Sequence, residues 1–266
     1  METYRLKNIA IAILLLLNGC LLLLLGYQHL QELETQREAA GQLRSLYEAS
    51  QLRLDAQVDL AQQPLRPLVL SRSNDTEQAI AASLLQGDVS SDSQGGGIVS
   101  YRGEGGTIQF RSGGSFDGSQ LHVPVEDPEE FSRQFCRRFG YGELELQPYP
   151  PGDSAVAVQR WDGVSIYGCG VTLYFEDGLL ASVAGSHVSQ ENASEESLPV
   201  LDCITALTRF LDYRTASGIV CSEVTDVQCV YELRGASSLR LAPMWRIETD
   251  TYTYFVDGLS GEVSRG

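Results

Sequence analysis

The side chains that could do chemistry are few in this sequence, and their spacing fits no common catalytic or metal-binding pattern. The three histidines, His29, His122 and His187, are too scattered along the chain to suggest a zinc site. The sequence contains neither a C-x-x-C pair nor a G-x-S-x-G motif. Acidic pairs occur throughout, as expected for the solvated surface of so acidic a chain. We therefore predict a protein that is not an enzyme, with no catalytic residue, no metal ligand and no cofactor.

Six cysteines occur, and Cys20 lies in the N-terminal apolar run of residues 9–25. The other five are Cys136, Cys169, Cys203, Cys221 and Cys229. An odd number cannot pair fully within one chain. A disulfide from Cys221 to Cys229 or to Cys203 would suit an oxidising compartment, and buried reduced thiols fit the sequence equally well. Cys169 stands between two glycines of a predicted strand, which indicates packing or a bulge and not a nucleophile.

The apolar run covers residues 9–25 and is the strongest organising signal in the sequence. With Gly26 and Tyr27 it is long enough to cross a bilayer core of about 30 Å at about 1.5 Å per residue. Arg5 and Lys7 precede it, which favours a cytoplasmic N-terminus and an extracellular C-terminal domain. We predict an uncleaved signal anchor in residues 1–27 of a single-pass cell-membrane protein. A cleaved signal peptide and a lipoprotein cut before Cys20 are the alternatives; the five leucines after Cys20 oppose the second.

Asn18 and Gly19 stand near the middle of the predicted span. A polar amide at this depth is costly unless it is paired, and it often marks a contact between helices. Gly19 would allow the backbone of a second helix to approach closely. We predict that the two residues bind a partner in the membrane. The alternative is that Asn18 hydrogen-bonds to its own helix.

The charge balance excludes two classes of partner. The chain carries 35 acidic and 19 basic residues, a formal net charge of −16. Such a chain is unsuited to binding nucleic acid or anionic lipid. We therefore expect no nucleic-acid partner, and a membrane attachment through one helix only.

The remaining sequence divides into four regions. Residues 28–63 favour a helical stalk, or a single helix packed on the domain, and residues 64–125 a small α+β segment. Residues 126–189 and 197–266 resemble two copies of one unit, a helix followed by an antiparallel meander. The first helix has a strong start at Asp127-Pro128, and the second is expected to open at Ser197-Leu198-Pro199. The predicted fold class is α+β.

The C-terminal hairpin resembles the closing hairpin of PepSY-like domains. The similarity lies in residues 243–250 and 254–263, and its fold-motif residues are Pro243, Trp245, Tyr254, Asp257, Gly261 and Glu262. The pattern usually has Ala where Gly258 stands and Thr where Ser260 stands. The N-terminus resembles the YycI/YycH family of two-component system regulatory proteins of Gram-positive bacteria, through Leu17-Asn18 and Tyr27.

This resemblance implies tandem PepSY-like domains behind one transmembrane helix. It also implies a function: an extracytoplasmic regulator that binds and modulates the sensor histidine kinase of a cell-wall two-component system. A paralogous single-pass regulator is a second implied partner. PepSY-like units also occur in protease propeptides, so the alternative function is an anchored protease inhibitor or an envelope-binding module.

Overall fold

Four helices and sixteen strands lie within the residues that the computed structural model describes, which are 2–191, 193–235 and 238–266. In these ranges the side chains of residues 2–13, 15–16, 25–26, 28–30 and 32–33 are outside the description. The helices are α1 (Glu2–Ala49), α2 (Asn74–Leu85), α3 (Pro128–Phe139) and α4 (Cys203–Ser217). The strands are β1 (Arg53–Leu54), β2 (Leu68–Leu70), β3 (Ser90–Gly95), β4 (Ile98–Gly103), β5 (Gly106–Phe110), β6 (Ser115–Gly118), β7 (Val123–Pro124), β8 (Tyr141–Tyr149), β9 (Gly152–Trp161), β10 (Val164–Glu176), β11 (Leu179–Ser186), β12 (Ser194–Glu195), β13 (Glu223–Arg234), β14 (Leu239–Thr249), β15 (Thr253–Asp257) and β16 (Val263–Arg265).

Two regions of the chain repeat one arrangement. In the first unit, helix α3 precedes the meander β8-β9-β10-β11, in which each strand pairs antiparallel with the next. In the second unit, helix α4 precedes the meander β13-β14-β15-β16, paired in the same way. The predicted α+β class is confirmed. All the described strands join one mixed sheet, which is parallel only where β13 meets β1 and β10.

The helices of the two units share their end signals. Asp127 and Asp202 are the N-caps, and their carboxylates accept hydrogen bonds from backbone N–H groups of the first turn. Gly140 and Gly218 are the C-caps, both in the left-handed conformation that glycine adopts without strain. Helix α4 therefore begins at Cys203 and not at Ser197, because the cap is supplied by Asp202.

The core of the first unit extends beyond residues 126–189. Helices α2 and α3 cover one face of a sheet that includes β3–β7, and buried aliphatic and aromatic side chains fill the space between them. Strand β6 pairs with β11, whereas β2 pairs with β14 in the second unit. The region 64–125, predicted as a small α+β segment, therefore contributes to both units. Its strands β3–β6 pair with one another in chain order, and β6 and β7 attach them to β11 of the first unit.

The second unit is completed by residues that precede it by about 140 to 155 positions. Leu43 and Tyr47 of α1 are buried against α4, and Leu52 and Val58 enter the same core. The predicted stalk, residues 28–63, is therefore helical only as far as Ala49, and the remainder packs on the second unit. Chain order cannot show this, since the contacts connect distant segments.

Helix α1 also contains the predicted membrane span. Within the described part of the chain, no helix combines the length and the apolarity needed to cross a bilayer. Part of the predicted span, including the side chains of residues 9–13, lies outside the described residues.

The C-terminal hairpin is held by the residues of its sequence motif. Asp257 accepts hydrogen bonds from the backbone N–H groups of Leu259 and Ser260 at 2.7 and 2.8 Å, and its carboxylate pairs with Arg234. Although burial opposes ionisation, these N–H groups and the guanidinium lower the pKa of Asp257. The Trp245 indole donates to the carbonyl of Leu201 at 2.9 Å. The motif thus fastens the hairpin to the segment that leads into α4.

We predict that Gly258→Ala destabilises the protein. A Cβ at this position would lie 2.7 Å from the carbonyl oxygen of Pro243, a backbone atom that cannot move independently. The free energy of unfolding should fall by about 1–3 kcal/mol, which denaturant titration followed by circular dichroism can measure. In the control Gly87→Ala, the Cβ would meet nothing within 4 Å of the described chain, and no comparable loss is expected. Equal stability of the two variants would contradict the prediction.

Candidate functional site

A cleft of about 350 Å³ opens where the sheets of the two units meet. Val156, Val158 and Thr172 line it from the first unit, on the sheet face that α3 leaves uncovered. Val230 and Phe255 line it from the second unit, on the face opposite α4. Its volume lies within the range of about 300–1,000 Å³ usual for ligand pockets. We define this space as the central cleft.

The central cleft exists because β10 leaves β9 for four residues. The pairing of β10 with β9 is interrupted between Ser165 and Gly170, and Ile166 and Tyr167 pair instead with β13 of the second unit. Gly168 has a φ of +74°, a left-handed conformation that suits glycine in such a bulge. The excursion holds the Tyr167 ring 4.3 Å from that of Phe255, centroid to centroid. These two rings connect the units at the mouth of the cleft.

The charged groups of the central cleft are paired. Arg246 contacts Glu248 at 2.7 Å and Asp226 at 4.0 Å. Glu143 pairs with Arg160, and the hydrogen bond from this guanidinium lowers the pKa of Glu143. A group that is already ion-paired is a poor general base. The arrangement therefore suits the binding of an apolar group at a charged rim.

The cysteines are all free thiols, so the disulfides considered for Cys221 are not formed. Burial raises the pKa of Cys169 and of Cys229 to about 11, and that of Cys203 to about 12. A thiol with such a pKa is almost fully protonated at neutral pH and reacts slowly. These cysteines behave as small apolar side chains. Among the described residues, no three His, Cys, Asp or Glu side chains are grouped closely enough to hold a metal ion.

A second candidate feature is the junction between α1 and α4. Tyr47 is fully buried, and its hydroxyl donates to the carbonyl of Leu207 at 2.8 Å. Arg214 donates to the carbonyl of Ser50, just after the end of α1, at 3.2 Å, and to that of Cys221 at 3.0 Å. Helix α1 is thus fixed to the second unit by both apolar packing and hydrogen bonds.

The predicted site residues occupy three different places. Asn18 is exposed on α1, and a Cβ on Gly19 would meet no described atom within 4 Å outside its own helix. The motif residues Trp245 and Tyr254 are buried in the second core, whereas Pro243, Asp257, Gly261 and Glu262 lie in or beside the hairpin. None of these residues lines the central cleft. The role of Asn18 and Gly19 in partner binding stays a prediction.

Tyr167 and Phe255 are the cleft residues that the sequence did not reveal. The glycines at 168 and 170 do signal a bulge in β10. That signal shows where the strand bends but not which distant strand it meets. Only the parallel pairing with β13 creates the cleft.

No protein-family model and no curated protein matches the chain. Several solved structures resemble it at low sequence identity, among them the following three. The first is a protein of Eubacterium rectale ATCC 33656, with 11% identity over 81% of this chain and 90% of that chain and a TM-score of 0.43. The others are the YpeB C-terminal domain of Bacillus megaterium (12% identity, 74% and 98% covered, TM-score 0.35) and YycH from Bacillus subtilis (10% identity, 76% and 52% covered, TM-score 0.34). At these identities and TM-scores the likeness does not place the chain in a family.

We predict that Tyr47→Phe weakens the junction of α1 with α4. The substitution removes the hydroxyl that donates to the carbonyl of Leu207, and with it one buried hydrogen bond between the two helices. The free energy of unfolding should fall by about 0.5–1.5 kcal/mol, measured by denaturant titration. Tyr252→Phe, at a tyrosine that is 49% exposed, is the control and should change it little. A Tyr47→Phe variant as stable as the control would refute the buried hydrogen bond.

His187 gives a prediction about pH. The half-buried ring donates a hydrogen bond from Nε2 to the carbonyl of Phe139, and burial lowers the pKa of His187 from 6.5 to about 4. As the pH falls from 6.5 towards 4, the unfolded chain binds a proton here that the folded chain does not, so stability is lost. Unfolding free energies at about pH 7 and about pH 4.5 should therefore differ less in His187→Gln than in the parent chain. His122→Gln, at an exposed histidine, should keep the parent's pH dependence.

Proposed function

We propose that the chain is an extracytoplasmic regulator, anchored by one N-terminal membrane helix, that binds and modulates a sensor histidine kinase of a cell-wall two-component system. Support for the kinase partner comes from the resemblance of residues 17–27 and 243–263 to the YycI/YycH family and to PepSY-like domains. Two units of one helix and a four-stranded meander are consistent with tandem PepSY-like domains. A paralogous single-pass regulator is proposed as a further partner.

The observation that carries the proposal is the continuity of helix α1. It runs from Glu2 to Ala49 and ends in the core of the second unit, where Leu43 and Tyr47 are buried. A continuous helix of 48 residues rises about 1.5 Å per residue and connects its two ends through one unbroken run of backbone hydrogen bonds. Movement at the predicted membrane segment would therefore reach the folded units directly.

We propose a binding role and not a catalytic one. The buried thiols have raised pKa values, and the carboxylates at the central cleft are ion-paired. These groups lack the activated state that a nucleophile or general base requires. We therefore propose that the two units bind a protein partner.

The test is crosslinking of the full chain in membranes, with identification of the captured protein by mass spectrometry. Capture of a sensor histidine kinase is the expected result. Capture of a secreted peptidase in its place would favour the protease-inhibitor alternative and overturn the kinase proposal.

The membrane contact is tested by Asn18→Leu. We expect association with the captured kinase in a bacterial two-hybrid assay to weaken by about threefold to tenfold, since the substitution removes one interhelical hydrogen bond. Leu22→Val, which keeps an exposed position of α1 apolar, is the control. Full association of the Asn18→Leu variant would remove the membrane contact from the proposal.

A further inference from the structure

The internal repeat allows one position to be compared in the two units. This position is the outer edge of the first strand of each meander, beside the unit's helix. In the second unit it is the outer edge of β13, next to α4. In the first unit it is the outer edge of β8, next to α3.

The position is filled in the second unit. Arg53 and Leu54 form β1 and pair in parallel with the start of β13. Leu43 and Tyr47, at the end of α1, pack on α4 just before this strand. Arg214, in the last turn of α4, donates to the carbonyl of Ser50. The occupant is therefore the carboxyl end of a helix followed by a short strand, within residues 43–60.

The same position is open in the first unit. Within the described residues, β8 pairs with β9 alone, so its first residues, Tyr141 and Gly142, have no strand on their outer edge. A groove of about 290 Å³ runs between α3 and β8. Leu144 and Leu146 are among its apolar lining residues, and Leu146 is 43% exposed. We call it the outer groove.

The equivalence of the two positions has independent support. Both helices have an Asp N-cap and a left-handed Gly C-cap. Both first strands carry one extra residue near their start, between Gly142 and Glu145 in β8 and between Val224 and Asp226 in β13. A bulge at the same place turns the outer edge in the same direction.

We propose that the outer groove binds a segment of a partner protein with the chemistry of residues 43–60. Such a segment presents the carboxyl end of a helix to α3 and then adds a short parallel strand with aliphatic side chains to β8. The proposal rests on the proposed function in one respect, that the segment belongs to a protein partner. The equivalent segment of this chain already fills the second unit and is not free to occupy the groove.

Charge supports this occupant. Arg137 lies in the last turn of α3, lines the outer groove and forms no ion pair within the described residues. In the second unit Arg214, also in the last turn of its helix but one position further from the C-cap glycine, donates to the carbonyl of Ser50 beyond the end of α1. The carboxyl end of a helix carries partial negative charge and unpaired carbonyls. An arginine at the groove is complementary to both.

The test uses the full chain purified in detergent micelles and a fluorescent synthetic peptide of residues 43–60. Saturable binding, followed by fluorescence anisotropy, is expected. Leu146→Asp should raise the Kd about tenfold, because a charge is placed on the apolar floor of the groove. Arg137→Ala should raise it about threefold. Leu198→Asp, at a leucine of similar exposure outside the groove, should leave it unchanged.

Three outcomes would contradict the proposal that the outer groove binds a partner segment. They are no saturable binding of the peptide, equal binding to the Leu146→Asp chain, and self-association of the chain that Leu146→Asp abolishes in sedimentation. The last would identify a second copy as the occupant. Capture of a kinase in membranes without peptide binding would refute the groove and leave the proposed function standing. Peptide binding without capture of a kinase would leave the groove standing and refute the proposed function.

Discussion

The fold depends on how the outer edge of one strand, β13, is covered by other segments of the chain. β13 is the first strand of the second unit. Strand β1 covers its start, β10 covers its end, and the Gln62 side chain fills the space between. The Gln62 amide accepts from the N–H of Cys229 at 3.0 Å and donates to the carbonyl of Val227 at 3.1 Å, as a strand residue would.

This edge explains why the chain is arranged as it is. Covering β13 brings residues 43–66 from the N-terminal side onto a unit that begins at residue 197, so α1 becomes part of the second core. Covering its other end draws β10 out of the first sheet, and the bulge at Ile166 and Tyr167 connects the units. The central cleft is a consequence of that displacement. One structural requirement therefore produces both the attachment of α1 and the contact between the repeats.

Local features of the sequence predicted much of the fold. The α3 boundaries follow from Asp127-Pro128 and Gly140. Contacts between distant segments were not predictable, because periodicity reports the face of a strand and not its neighbour. For the same reason the hairpin motif could be found but the central cleft could not.

The attachment of α1 determines how a displacement would spread. Separating α1 from α4 would expose Leu43 and Tyr47, at about 1.5–3 kcal/mol each, and would break two hydrogen bonds of about 1 kcal/mol each. The sum, roughly 5–8 kcal/mol, is comparable to the whole stability of a typical domain. The second unit therefore moves with the helix. The first unit is joined to the second by the pairing of β10 with β13 and by a shared buried core that includes Trp161, Ile166, Tyr231 and Leu241. A displacement that reaches the second unit through α1 would therefore pass to the first unit through this core.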